Sequence, residues 1–191
     1  MLILLIANIS AFLTGCVPVM VGTGVVTGGY LLCRDKKFGD SINDTEIEAK
    51  IKKKLYSINP VLYSDASVMV DHGCVLLTGI VHESDWINLA EKEAWATNGV
   101  VSVDNCLSYG KGISASQLMK DGIITSSCRA AILCTPKIKS INFKIKTMDG
   151  GVYLIGLAES NEERDLVLSK AQNISGVKKI LSFIRVAKKQ K

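Results

Sequence analysis

Shifted by 77 residues, this chain aligns with itself without a gap. Ile47 falls on Ile124, Leu55 on Ile132, Gly73 on Gly150 and Val75 on Val152. Leu77 falls on Leu154, Gly79 on Gly156, Leu89 on Leu166, Ala94 on Ala171, Gly99 on Gly176 and Val100 on Val177. The matches lie at turn glycines and at apolar positions, so what repeats is a supersecondary unit rather than a composition. A repeat of this length excludes a single continuous fold and sets two copies, residues 44–108 and 118–187, joined by a short Gly/Ser-rich linker at 109–117.

Each copy has the same element pattern. In the first, Asp44 can cap a helix to about Tyr56, with Ile47, Ile51 and Leu55 as one apolar stripe and Asn59-Pro60 as its stop. Ala66–Val70 and Cys74–Ile80 read as strands joined by an Asp71-His72-Gly73 turn. Val68, Val70, Val75 and Leu77 are expected on one face, and Gly79 marks a bulge or a close backbone approach. Ser84 is expected to cap a second helix to Thr97, with Ile87, Leu89, Ala90 and Ala94 inward. Asn98-Gly99 stops it before a third strand, Val101–Leu107. The fold class is therefore α+β: two αββαβ units, each two helices on a three-stranded mixed sheet. A unit of 65–70 residues is marginal alone, so the copies are expected to support one another. Trp86 is placed at a domain–domain contact and Trp95 over its own core.

The N-terminus carries a different signal. Leu13-Thr14-Gly15-Cys16 closes an apolar run, Met1–Phe12, and reads as a lipobox: an aliphatic residue, two small ones, then a cysteine to be lipidated. On this reading residues 1–15 are a removed signal peptide, Cys16 carries the lipid anchor (diacylglycerol and palmitate-type chains), and 16–43 is a flexible tether. No Lys or Arg precedes Cys16, so the native start is expected upstream. The competing reading is a transmembrane helix from Leu2 to Leu32, which Pro18 and the glycines at 15, 22, 24, 28 and 29 interrupt. Residues 188–191 form a basic tail.

Composition narrows the function. Cys33, Cys74, Cys106, Cys128 and Cys134 remain after Cys16, an odd number without a CxxC pair, and most read as small buried hydrophobes with pairing left open. Two histidines, His72 and His82, do not make a zinc site. Neither a metal nor another cofactor is expected. Catalytic residues are not assigned either, because the second copy has no histidine. Charge divides sharply. Residues 44–107 carry five Lys/Arg against ten Asp/Glu, a net −5, and residues 114–191 carry fourteen against six, a net +8. A basic half suits an anionic surface, although Lys137, Lys139, Lys144 and Lys146 individually read as a solvated strand face. Nucleic acid is not an expected partner, since the basic half lacks an aromatic platform.

Gly73-Cys74-Val75-Leu76-Leu77-Thr78-Gly79 and Gly150-Gly151-Val152-Tyr153-Leu154-Ile155-Gly156 resemble the Gly-x-Val-x-Leu-x-Gly hairpin of BON domains. Asn98-Gly99-Val100 and Ser175-Gly176-Val177 resemble that domain's turn into its last strand. With the lipobox and the tether, the order resembles the dual-BON outer-membrane lipoproteins. The resemblance implies a non-enzymatic protein, lipid-anchored in the outer membrane and facing the periplasm. It implies binding of anionic phospholipid at the inner leaflet through the second domain, in support of envelope integrity, with outer-membrane assembly or division proteins as further partners. It puts the lipid contact on the first helix of that domain, residues 121–133, where Ile123, Arg129 and the neighbouring Lys120 are the candidate residues. The alternative function is a periplasmic protein-interaction scaffold, through exposed sheet edges or the acidic first domain.

Overall fold

The computed structural model describes residues 25–27 and 43–187. Cys16, the signal peptide, most of the tether and the tail 188–191 lie outside the described residues. A short strand β1 (Val25–Thr27) precedes the first unit. That unit comprises α1 (Asp44–Ile58), α2 (Pro60–Asp65), β2 (Ala66–Asp71), β3 (Cys74–Val81), α3 (Asp85–Trp95) and β4 (Ser102–Tyr109). The second comprises α4 (Ala115–Leu133), a 3-10 turn (Ser140–Asn142), β5 (Phe143–Met148), β6 (Gly151–Ala158), α5 (Asn161–Gln172) and β7 (Lys179–Val186). In each unit the hairpin is antiparallel and the last strand pairs parallel to the middle one, giving mixed sheets ordered β2-β3-β4 and β7-β6-β5. Parallel pairing requires a crossover, which α3 and α5 supply.

The helix-facing cores follow the sequence pattern. Ile47, Ile51, Leu55, Val68, Val70, Val75, Leu77, Ala90 and Ala94 fill the first core. Ile124, Cys128, Ile132, Ile145, Val152, Leu154, Val167 and Ala171 fill the second. Full burial of one such aliphatic side chain contributes about 1.5–3 kcal/mol. Trp86 packs against its own domain core, not at a domain contact, and Trp95 is half exposed.

Several local expectations change. Asp44 does not cap α1: Asn43 does, accepting from Thr45 N at 3.1 Å. The Asp44 carboxylate instead accepts from His72 N (2.7 Å) and Gly73 N (2.9 Å) across the core edge. Its repeat counterpart Asp121 accepts from Asp149 N (2.7 Å) and Gly150 N (2.9 Å). Both hairpins are two-residue turns with positive φ at both positions, 50° and 75° for His72-Gly73 and 45° and 72° for Asp149-Gly150. This is the type I′ geometry that matches strand twist, and a non-glycine residue adopts it at a cost. The carboxylate, buried at Asp121 and half-buried at Asp44, binds both turn amides and offsets that cost. Ser84 precedes α3 but makes no capping hydrogen bond. Asn59-Pro60 does end α1, and it also starts α2, with Pro60 in the first turn where its missing N–H is harmless.

Gly79 is a close approach. A Cβ there would lie 2.2 Å from Asp65 O, and one at Gly156 would lie 2.1 Å from Asn142 O. The chain entering the first strand of each hairpin crosses this glycine.

The two sheets pack back to back through their helix-free faces. Met69, Cys74 and Leu76 of the first domain meet Tyr153, Ile155 and Phe183 of the second. β3 and β6 are therefore buried on both faces, and their near-continuous apolar runs reflect it. Charge crosses the contact as well. Lys144 Nζ donates to Val70 O, and Arg185 donates to the Asp71 carboxylate and to Asp71 O. Part of the acidic-to-basic division of the chain is thus used between its own domains.

The sequence places Val25–Thr27 in the flexible tether. Its backbone pairs parallel with β7, with Val25 opposite Ile180 and Thr27 opposite Ser182. β7 is an exposed edge in need of a partner, and two of the three residues that cover it are β-branched valines. The cysteines also divide. Cys74 is disulfide-bonded, whereas Cys128 and Cys134 are free thiols. Cys128 is the buried hydrophobe expected, its thiol pushed up to about 11 by burial, but Cys134 is exposed.

Candidate functional site

Helix α4 has two apolar faces. Ser114 caps it, its Oγ accepting from Gln117 N at 3.2 Å. Ile124, Cys128 and Ile132, with the turn-binding Asp121, face the core. On the far side Met119, Ile123 and Leu133 are 72%, 66% and 70% exposed. Met119, Ile123, Ser126, Ala130 and Leu133 recur at the spacing of one helical face, and that face carries no carboxylate. Leu118 (60%) lies beside it, and Ile141 (92%) protrudes from the following 3-10 turn.

The first domain does not share this feature. At the repeat positions of Ile123, Ala130 and Leu133 helix α1 has Glu46, Lys53 and Tyr56, and its outer face is laced by Glu46–Lys50 (2.6 Å) and Glu48–Lys52 (2.5 Å) ion pairs. Core positions are alike in the two helices and outer positions are not. Packing explains the first and leaves the second to another cause.

The three residues singled out from the sequence do not share one face. Ile123 is exposed, as its offset from the core stripe implied, and Lys120 is exposed about 60° around the helix from it. Arg129 lies about 120° away on the other flank, where its guanidinium approaches Ile145 O at 3.4 Å on strand β5. Leu133, the repeat counterpart of Tyr56, is exposed as that residue is. Sequence reasoning missed Met119, Leu133 and Ile141. The second stripe, Met119-Ile123-Leu133, was present in the spacing, on the face opposite the core stripe.

The basic strand residues also separate. Lys139 pairs with Glu159, whose carboxylate raises the ammonium pKa. Lys144 crosses to the first domain, and Lys146 lines a cleft together with Lys144 and Arg129. Among the described residues, Asp44, Asp71 and His72 bring metal-type donor atoms within 4.8 Å of one another. Two backbone amides already use Asp44, and the Arg185 guanidinium supplies positive charge at Asp71. His82 Nδ1 lies 2.6 Å from Asp65 Oδ2 at the surface. No described helix is long and apolar enough to cross a membrane.

Two helix-backed αββαβ units with glycine-crossed hairpins, one presenting an apolar outer helix face, define a tandem α+β protein. Residues 43–111 and 120–188 each match the model of the BON domain, and the chain belongs to the BON-domain family. It is 34% identical over 146 residues to an Anaplasma centrale protein described as an uncharacterized protein in the gshII 5′ region, a match that covers 76% of this chain and 95% of that one. It is 29% identical over 186 residues to outer membrane lipoprotein DolP of Haemophilus influenzae, covering 91% and 90% of the two chains. It is also 32% identical over 151 residues to osmotically-inducible protein Y of Escherichia coli, covering 78% and 75%.

Proposed function

We propose that this chain is a non-enzymatic envelope lipoprotein, anchored through Cys16 in the outer membrane. Its second BON domain binds anionic phospholipid at the inner leaflet and so supports envelope integrity. The observation that carries the reading is the apolar outer face of α4, absent from α1 at the equivalent positions. An exposed apolar stripe flanked by Lys120 suits a helix lying in the headgroup plane. Aliphatic side chains enter the interface, and nearby cations each contribute about 1 kcal/mol at an anionic leaflet. Similarity to a protein named as an outer membrane lipoprotein, over nearly the full length of both chains, supports the location.

The test is co-sedimentation of residues 17–191 with neutral and anionic vesicles across a salt series. This span keeps every described element, including β1. Binding to anionic vesicles that falls with salt and is lost in Ile123→Asp is the expected result. Absence of binding at low salt overturns the reading. Lipidation is checked separately, by a mass increment on Cys16 that disappears in Cys16→Ser.

A scaffold role has one observation in its favour. Tyr56 and Tyr63 stack edge-on at 5.6 Å on the acidic domain and, with Ile58 and Val61, stay 41–57% exposed. Crosslinking at Tyr63 in envelopes, with lipid binding absent, would support a protein partner there.

A further inference from the structure

The cleft between the domains is built differently from the helix face beside it. Edge strands β2 and β5, one from each sheet, both line a cavity of about 510 Å³. This is the size of a small-ligand site. Arg129, Lys144 and Lys146 line it. Among the described residues none of the three is ion-paired: Arg129 approaches Ile145 O, and Lys144 donates to Val70 O. Glu48, the one carboxylate in the lining, is already paired with Lys52 at 2.5 Å. Three uncompensated cations around one cavity repel one another and raise the local concentration of anions. The hydroxyl residues Ser67 and Ser140 stand in the same lining. Apart from Lys52, which is paired with Glu48, its remainder is apolar, and the exposed Leu133 and Ile141 belong to that lining.

We propose that this cleft holds the phosphate headgroup of one anionic amphiphile. Arg129, Lys144 and Lys146 contact the oxyanion, and Leu133 and Ile141 lie against the acyl chains. An extended peptide added to either strand edge fits less well. Val70 O and Ile145 O face Lys144 and Arg129, and a new strand would have to displace those cations. The proposal rests on the membrane reading only for the source of the ligand. It adds a saturable site, one molecule per chain, to the diffuse adsorption expected of a helix face.

The probe is dihexanoyl phosphatidic acid held below its micelle threshold, titrated into residues 17–191 and followed by calorimetry and by amide shifts of β5. The matched arms use dihexanoyl phosphatidylcholine and inorganic phosphate. Saturable binding of one phosphatidic acid per chain, centred on Ile145 and Lys146, is the expected result. It should weaken roughly fivefold in each of Arg129→Gln and Lys146→Gln, as loss of one cation near an anion implies, with the thermal midpoint unchanged. Equal binding of phosphatidylcholine, or phosphate binding as tight as phosphatidic acid, overturns the proposal. So does the absence of saturable binding. The two readings fail separately. Vesicle binding without short-chain lipid binding removes the cleft site and leaves the helix face, and the converse removes the face and leaves the cleft.

Discussion

Arg185 of the last strand donates its guanidinium to the Asp71 carboxylate, 114 residues earlier, and so ties the second sheet to the first hairpin. Both side chains are only 11% exposed. An ion pair this buried stabilises little against an apolar substitute, but breaking it strands a charge. Arg185→Ala is therefore expected to cost about 3–5 kcal/mol. Arg185→Met with Asp71→Leu together should recover most of it. Urea unfolding of Arg185→Met, Asp71→Leu and the double variant measures the coupling.

Gly156→Ala tests the close approach beneath the hairpin. The new methyl would meet Asn142 O at 2.1 Å, a backbone atom held by the turn before β5. Overpacking of this kind costs about 1–3 kcal/mol. Gly122→Ala, with open space around its position on α4, is the control that should not destabilise. Thermal midpoints of the two variants give the comparison.

Asp121→Ala removes both acceptors from the Asp149-Gly150 turn. Hydrogen bonds to a charged group contribute about 1.5–3 kcal/mol each and leave buried donors orphaned when lost. A loss of at least about 2 kcal/mol is expected, with faster amide exchange at Asp149 and Gly150. Asp121→Asn should retain part of the stability, since one carbonyl acceptor remains.

Stability should fall as pH rises from 3.8 to about 6 because of Asp104 on β4. Burial raises its carboxyl from 3.8 to about 6. The folded state therefore holds this proton more tightly than the unfolded chain does. Its contribution is complete below pH 3.8 and is lost as pH rises to about 6. With allowance for partial exposure, the change is about 2 kcal/mol. Chemical denaturation across that window should show the slope, and Asp104→Asn should flatten it.

The sequence alone determined the repeat, the order of elements and the helix-facing cores. Periodicity and turn chemistry are local quantities, and a gapless internal match reads them twice. Gly79 as a close approach and Ile123 as an exposed apolar residue were legible for the same reason. The family followed from the hairpin motif at Gly73–Gly79 and Gly150–Gly156.

Tertiary structure alone decided how the copies meet. That β3 and β6 are buried on both faces was hinted at by Leu76, Tyr153 and Ile155, but an apolar residue at an outward position does not name its partner. Asp44 reads as a helix cap until the hairpin folds back onto its carboxylate. Val25–Thr27 reads as tether until β7 offers an open edge. Arg129 reads as a companion of Ile123 until helix geometry turns it toward β5 and the cleft. Each of these depends on contacts between residues far apart in the chain, and local propensity carries no record of what a side chain will meet across such a distance.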